Sequence, residues 1–309
     1  MRLAQHLRTL AIAGSCTALA LAAAPAAEAG LIAYEGFDYA EEADLDEAAG
    51  GTGFGTNAWD AHRDYATTAA SLSYTDANGN SLPTTGRAVE VAGQGKSAIR
   101  VLDEPITAGT VWVSFLMEAN AHADRGRSGF TLELWSGDPG DGGQGRAYAG
   151  TPHITAGEAH ATTGYGLGFR PVNVLDTNGD PDHHRNHIDV EWTGLDALDD
   201  PSVHFIVLKY AIGQSSDDGE VHMFMNPILG AEPDVSTAHA SHTGLDSLTM
   251  MDFDRIQLDT GGGNDLETGG LIDEIRLGGS YETVAVPEPA SLGLLAAGLG
   301  LGLMRRRRA

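Results

Sequence analysis

Along much of the chain, apolar and polar residues exchange places at every second position. In VWVSFLME, Val111, Val113, Phe115 and Met117 fall on one face, with Trp112, Ser114, Leu116 and Glu118 on the other. A period of two belongs to a β-strand. Runs of the same kind cover Leu31 to Phe37, Val89 to Val91, Ser97 to Val101, Phe130 to Trp135, Tyr165 to Arg170 and His187 to Trp192. Others follow at His204 to Ile212, Val221 to Asn226, Phe253 to Leu258 and Ile272 to Leu277. They are rich in β-branched and aromatic residues and are separated by Gly, Asp and Asn turns. No internal segment keeps a 3.6-residue period for three turns. Strands with both faces partly apolar predict an all-β fold of two packed sheets, a jelly roll or β-sandwich. Asp218-Gly219 between two of the runs predicts a hairpin, and Ile272 to Arg276 is expected to pair with the N-terminal strand.

The two ends break this pattern. Arg2 and Arg8 precede an apolar stretch from Leu10 to Ala24, and Ala27-Glu28-Ala29 follows. A positive start, a short apolar middle and an A-x-A site predict a secretory signal peptide over residues 1–29, cut at or shortly before Ala29. Cys16 lies within it, so the exported protein is expected to have no cysteine. At the other end, Ala290 to Met304 carries no charge and Arg305, Arg306, Arg307 and Arg308 follow. As a helix those 15 residues measure ~22 Å, marginal for a hydrocarbon core of ~30 Å. The arginines would hold their end on the cytoplasmic side of the inner membrane and leave the rest outside.

Pro287-Glu288-Pro289, the apolar run and the arginine cluster, in that order, resemble the PEP-CTERM sorting signal of Gram-negative bacteria. The resemblance implies a tag recognised by an exosortase, a membrane transpeptidase-like enzyme. The tag would be cut near Pro287, Glu288 and Pro289, and the body released or transferred to the envelope or exopolysaccharide. The domains expected are therefore a leader (1–29), a β-sandwich body (30–284) and a sorting segment (285–309), with Val284 to Pro289 as the linker.

Charge narrows the partners. Six of the 18 Lys and Arg belong to the leader and the C-terminal cluster, and one of the 43 Asp and Glu, Glu28, lies in the leader. Residues 30–304 thus carry 12 positive and 42 negative groups, a net of −30 with His neutral. Such a field repels phosphate backbones and excludes nucleic acid as a partner. It suits a solvated acidic coat and attracts Ca²⁺ or basic partners.

LIAYEGFDY, VHFIVLKYAIG with DGEVHMFMNP, and GGLIDEIRLGGSYETV resemble concanavalin A-like (LamG-type) domains. That likeness implies the same two-sheet fold and a carbohydrate-binding or structural role.

The candidate chemistry is sparse. In DTNGDPDHHRNH, Asp176, Asn178, Asp180 and Asp182 offer hard oxygens at alternate positions, as a loop around Ca²⁺ does. The glycine spacing and the absence of a closing Glu depart from an EF-hand, and Asp-Asn-Gly is also ordinary turn chemistry. His183, His184 and His187 read as surface histidines. HIDVEW is similar to the E-I-D-x-E strand of laminarinase-like glycosidases, with Asp189 and Glu191 two apart on one strand. His187 stands where that family has its nucleophile, which leaves a retaining mechanism without one. AGQGKS lacks the first P-loop glycine, Glu90 standing there, and neither G-x-S-x-G nor H-E-x-x-H occurs. Trp59, Trp135 and Trp192 are candidates to stack on sugars, Trp135 and Trp192 foremost, with Trp135 at an exposed turn and Trp112 in the core. The expectation is a non-enzymatic, exported protein binding or built into extracellular polysaccharide. The alternative is a glycan hydrolase using Asp189 and Glu191.

Overall fold

The computed structural model describes residues 30–92, 96–119, 130–137, 145–150, 164–170, 188–196, 202–212, 219–243, 252–260 and 269–285. Within them the chain forms, in order, β1 (Leu31–Glu35), β2 (Asp60–Ala61), β3 (Tyr65–Thr67), β4 (Val89–Ala92), β5 (Lys96–Ile106), β6 (Gly109–Ala119), β7 (Phe130–Ser136) and β8 (Gly145–Gly150). There follow β9 (Gly164–Arg170), β10 (Ile188–Asp196), β11 (His204–Ile212), β12 (Glu220–Met225), β13 (Ala240–Thr243), β14 (Phe253–Thr260), β15 (Gly269–Gly278) and one short helix, α1 (Tyr281–Val284).

These strands make two antiparallel sheets. One runs β13-β12-β11-β6-β15-β4-β3, with β1 also on β15, and the other runs β10-β9-β8-β7-β14-β5-β2. The predicted hairpin is present, with Ile206 opposite Met225 and Tyr210 opposite Val221. So is the pairing of the late strand with the first, with Tyr34 opposite Arg276. Between the sheets lies an apolar core to which β6 gives Val111, Val113, Phe115 and Met117, β7 gives Phe130, Leu132 and Leu134, and β14 gives Ile256 and Leu258. Each of these strands sends alternate residues inward, which is what a period of two requires.

The other face of the eight-stranded sheet carries a second apolar layer. Trp112, Leu116, Phe205, Val207 and Phe224 from the strands meet Leu72, Tyr74, Leu82, Leu229, Tyr281 and Val284 from the segments laid over them. Trp112 is buried as expected, but here rather than between the sheets. Asp76 staples two of the covering segments together. Its Oδ1 accepts the Asn78 and Asn80 N–H groups, both at 2.8 Å, and its Oδ2 accepts the Leu229 N–H at 3.0 Å.

A buried ion pair holds β1 to β5. Arg100, on the inward face of β5, donates to Glu35 Oε2, to Asn57 O at 3.1 Å and to Gly50 O at 2.5 Å. Its guanidinium lies 4.2 Å from the centre of the Phe54 ring. Glu35 also accepts the Phe37 N–H (2.8 Å), the Tyr39 hydroxyl (2.9 Å) and the Trp59 indole N–H (3.2 Å). Every charge there has partners, the condition under which a buried pair is tolerated.

In β15 the register against β6 slips between Asp273 and Arg276, and Glu274 takes a positive φ of 56°. The slip lets Ile272, Ile275 and Leu277 all reach the inter-sheet core. It also leaves Asp273 and Glu274 buried.

Candidate functional site

The seven-stranded sheet has an apolar inner face and a polar outer one. On β7, Thr131, Glu133 and Trp135 alternate with the core residues, and on β14 the outward positions are Arg255, Gln257 and Asp259. The register sets Gln257 opposite Glu133, Arg255 opposite Trp135 and Asp259 opposite Thr131. Across the other edge of β7, Tyr148 pairs with Glu133 and Arg146 with Trp135.

Glu133 is the centre of this row. Its Oε1 accepts the Thr131 hydroxyl at 2.9 Å and its Oε2 accepts the Trp135 indole N–H at 2.6 Å. The carboxylate is therefore held in one orientation. Gln257 is 5% exposed, and its buried amide oxygen has no hydrogen-bond partner among the described residues. An unsatisfied buried polar atom costs ~1–3 kcal/mol, so a donor brought to it is rewarded. Beside the row, Arg255 holds Asp254 through two bonds of 3.0 Å. Glu133 is 2% exposed and Thr131 8%, so these residues form a covered layer of fixed hydrogen-bonding groups, chemistry suited to hydroxyls once uncovered.

The residues singled out from the sequence are distributed differently. Trp135 stands on this face but is 7% exposed, which corrects its expected exposure. Its indole N–H has the Glu133 carboxylate as partner, and that lets the ring go under. Trp59 is likewise buried, its N–H on Glu35. Asp189, Glu191 and Trp192 lie on β10, the far edge of the same sheet, where Glu191 pairs with Leu167 and Trp192 with Gly166. The ladder between β10 and β9 slips between Ile188 and Glu191. Asp176, Asn178, Asp180 and Asp182 fall outside the described residues, as do Pro287, Glu288, Pro289 and Arg305 to Arg308. Among the described residues no cluster of three His, Cys, Asp or Glu is placed to hold a metal. No helix among them is long and apolar enough to cross a membrane.

Glu133 and Gln257 escaped the sequence reading. Each sits inside a run read only for its apolar partners, FTLELW and FDRIQL, and the cross-strand pairing that joins them is long-range.

Residues 285–308 match the PEP-CTERM protein-sorting motif. The chain therefore carries the sorting signal of exported, exosortase-processed proteins. No curated protein matches it. Among solved structures, an endo-1,3-beta-glucanase from Streptomyces sioyaensis is similar at 10% identity and a TM-score of 0.46, over 79% of this chain and 94% of that one. The alginate lyase vAL-1 from Chlorella virus is similar at 13% identity and 0.41, over 67% and 89%. The exoplasmic/lumenal domain of VIP36, in a Ca²⁺/Man2-bound form, is similar at 10% and 0.44, over 72% and 81%. Likeness at this level says nothing about ligand or activity.

Proposed function

We propose that the body is a non-catalytic carbohydrate-binding unit, delivered outside the cell by its leader and held in the inner membrane by Ala290 to Met304 until an exosortase releases it to the envelope or extracellular matrix. The outer face of the seven-stranded sheet is its ligand surface. What supports this reading is the Glu133 carboxylate fixed beside a Gln257 amide oxygen that has no partner among the described residues; both are buried, so a glycan reaches them by displacing what covers the row. A carboxylate accepts from sugar hydroxyls, and the amide adds a second acceptor one strand away. The acidic field of the body favours an uncharged polysaccharide over an anionic one.

Titrating the processed protein with neutral and anionic glycans tests this. Binding is expected for neutral chains, and Glu133→Gln or Gln257→Ala should weaken it about tenfold or more, the worth of one charge-assisted or unreplaced buried hydrogen bond. Affinity unchanged in both variants would place the ligand elsewhere. Sustained release of reducing ends, lost in Glu191→Gln, would favour the hydrolase instead.

A further inference from the structure

Both ends of the body leave from one patch. Gly30 accepts a hydrogen bond from the Gly279 N–H at 3.0 Å, and a Cβ at Gly30 would stand 3.2 Å from Thr283 Cγ2. The five residues that follow Ser280 are built into the outer layer of the eight-stranded sheet. Tyr281 sets its ring edge-on to Trp112, 5.3 Å between centres, and donates its hydroxyl to Ile228 O at 2.6 Å. Ser114 Oγ donates to Val284 O at 2.8 Å, and the Gly230 N–H donates to Ala285 O at 3.0 Å. Tyr281, Val284 and Ala285 are all fully buried. Val284 and Ala285, the former expected to open the linker, therefore belong to the fold, and Pro287 stands two residues beyond Ala285. Residues 286–289, all that separates this anchor from the uncharged run, reach at most ~14 Å fully extended.

We infer that Tyr281–Ala285 is a clasp that fixes the root of the sorting segment to the folded body, so that the processing enzyme gains slack upstream of its motif only when the clasp opens. The inference rests on the sorting role proposed above. Enzymes that cut peptides engage them as extended strands through backbone N–H and C=O groups. Here the carbonyls of Val284 and Ala285 are already taken by Ser114 and Gly230. Engaging residues before 286 requires those bonds to break and three buried residues to be exposed. The clasp thus slows release of a correctly folded body and keeps its exit patch close to the bilayer.

Pulse-chase of the full chain in exosortase-bearing cells reads the processing rate. A spacer of about six Gly and Ser residues after Ala285 is expected to speed processing about fivefold, the factor one net hydrogen bond is worth. Ser114→Ala with Tyr281→Phe should speed it in the same direction. A spacer variant processed at the original rate or slower overturns the clasp. A second arm needs no exosortase: a broad-specificity protease acting on the purified full chain should trim the C-terminus no further than residue 286. Trimming past Tyr281 in the native protein also overturns it. Replacing Pro287, Glu288 and Pro289 with Ala separates the two ideas. Undiminished processing of that variant sinks the sorting role, while the protease arm still decides the clasp.

Discussion

Replacing Glu35 with Ala is expected to destabilise the body by about 3–5 kcal/mol, the cost of leaving a buried charge without its partner. Arg100 is 1% exposed, so its guanidinium would lose its charge partner away from bulk solvent. The same change strips the acceptor from the Trp59 indole, the Tyr39 hydroxyl and the Phe37 N–H. Glu35→Gln keeps the shape and an acceptor oxygen and should cost less. Since a domain's total stability is ~5–15 kcal/mol, the alanine variant should unfold at a much lower denaturant midpoint. A midpoint shift worth under ~1 kcal/mol would show that the ion pair is not what orders this region.

The second large effect is a pH dependence centred on Asp273. This carboxyl is fully buried, and burial is the main reason its pKa rises to about 7, with the neighbouring Glu274 charge pushing the same way. The Leu72 N–H on Oδ2 and the Glu274 N–H on Oδ1, both at 2.8 Å, pull the other way without outweighing burial. Ser71 Oγ lies 2.5 Å from Asp273 Oδ2 and 3.0 Å from Leu72 O, and one hydroxyl proton cannot serve both. If Asp273 is protonated, its hydroxyl can donate to Ser71 and leave the Ser71 proton for Leu72 O. Because the folded protein binds this proton more tightly than the unfolded chain does, the contribution is complete below the ordinary value of 3.8 and is lost as pH rises through about 7. Three pK units correspond to roughly 4 kcal/mol. Asp273→Asn cannot titrate. It is expected to be less stable than the native protein at pH 4, with the gap narrowing by up to about 4 kcal/mol at pH 8. Denaturant melts of both proteins across that range check it. A gap that is constant, or that widens with pH, would mean Asp273 is ionised in the fold.

The strands that could be read from the sequence are those whose alternation is carried by large apolar residues. VWVSFLME, FTLELW and HFIVLKYAI became β6, β7 and β11, and the hairpin and the pairing of first and last strands followed from them. The strands passed over are GRAYAG (β8), ASHT (β13) and the two- and three-residue β2 and β3. Small and polar residues leave no hydrophobic signal, and these strands are held by neighbours already in place. Burial of the tryptophans was half legible. Trp112 reads as core from its strand, whereas Trp59 is covered because Glu35, 24 residues away, reaches its indole N–H, and Trp135 because Glu133, two residues back on the same strand, does so. The buried Asp273-Glu274 pair depends on the slip in β15, which the alternation of Ile272, Asp273, Glu274 and Ile275 does not announce. The sorting segment, by contrast, is read along the chain by its partners, and its order of residues is legible without a fold.

The mature C-terminus, determined by mass spectrometry on protein recovered from separated cell fractions, tests the central claim most directly. The account predicts a body in the envelope or medium that begins near Gly30, keeps Tyr281 to Ala285 and lacks everything from Ala290 onward. A chain still bearing both Met1 and Arg308, dissolved in the cytoplasm, would contradict it.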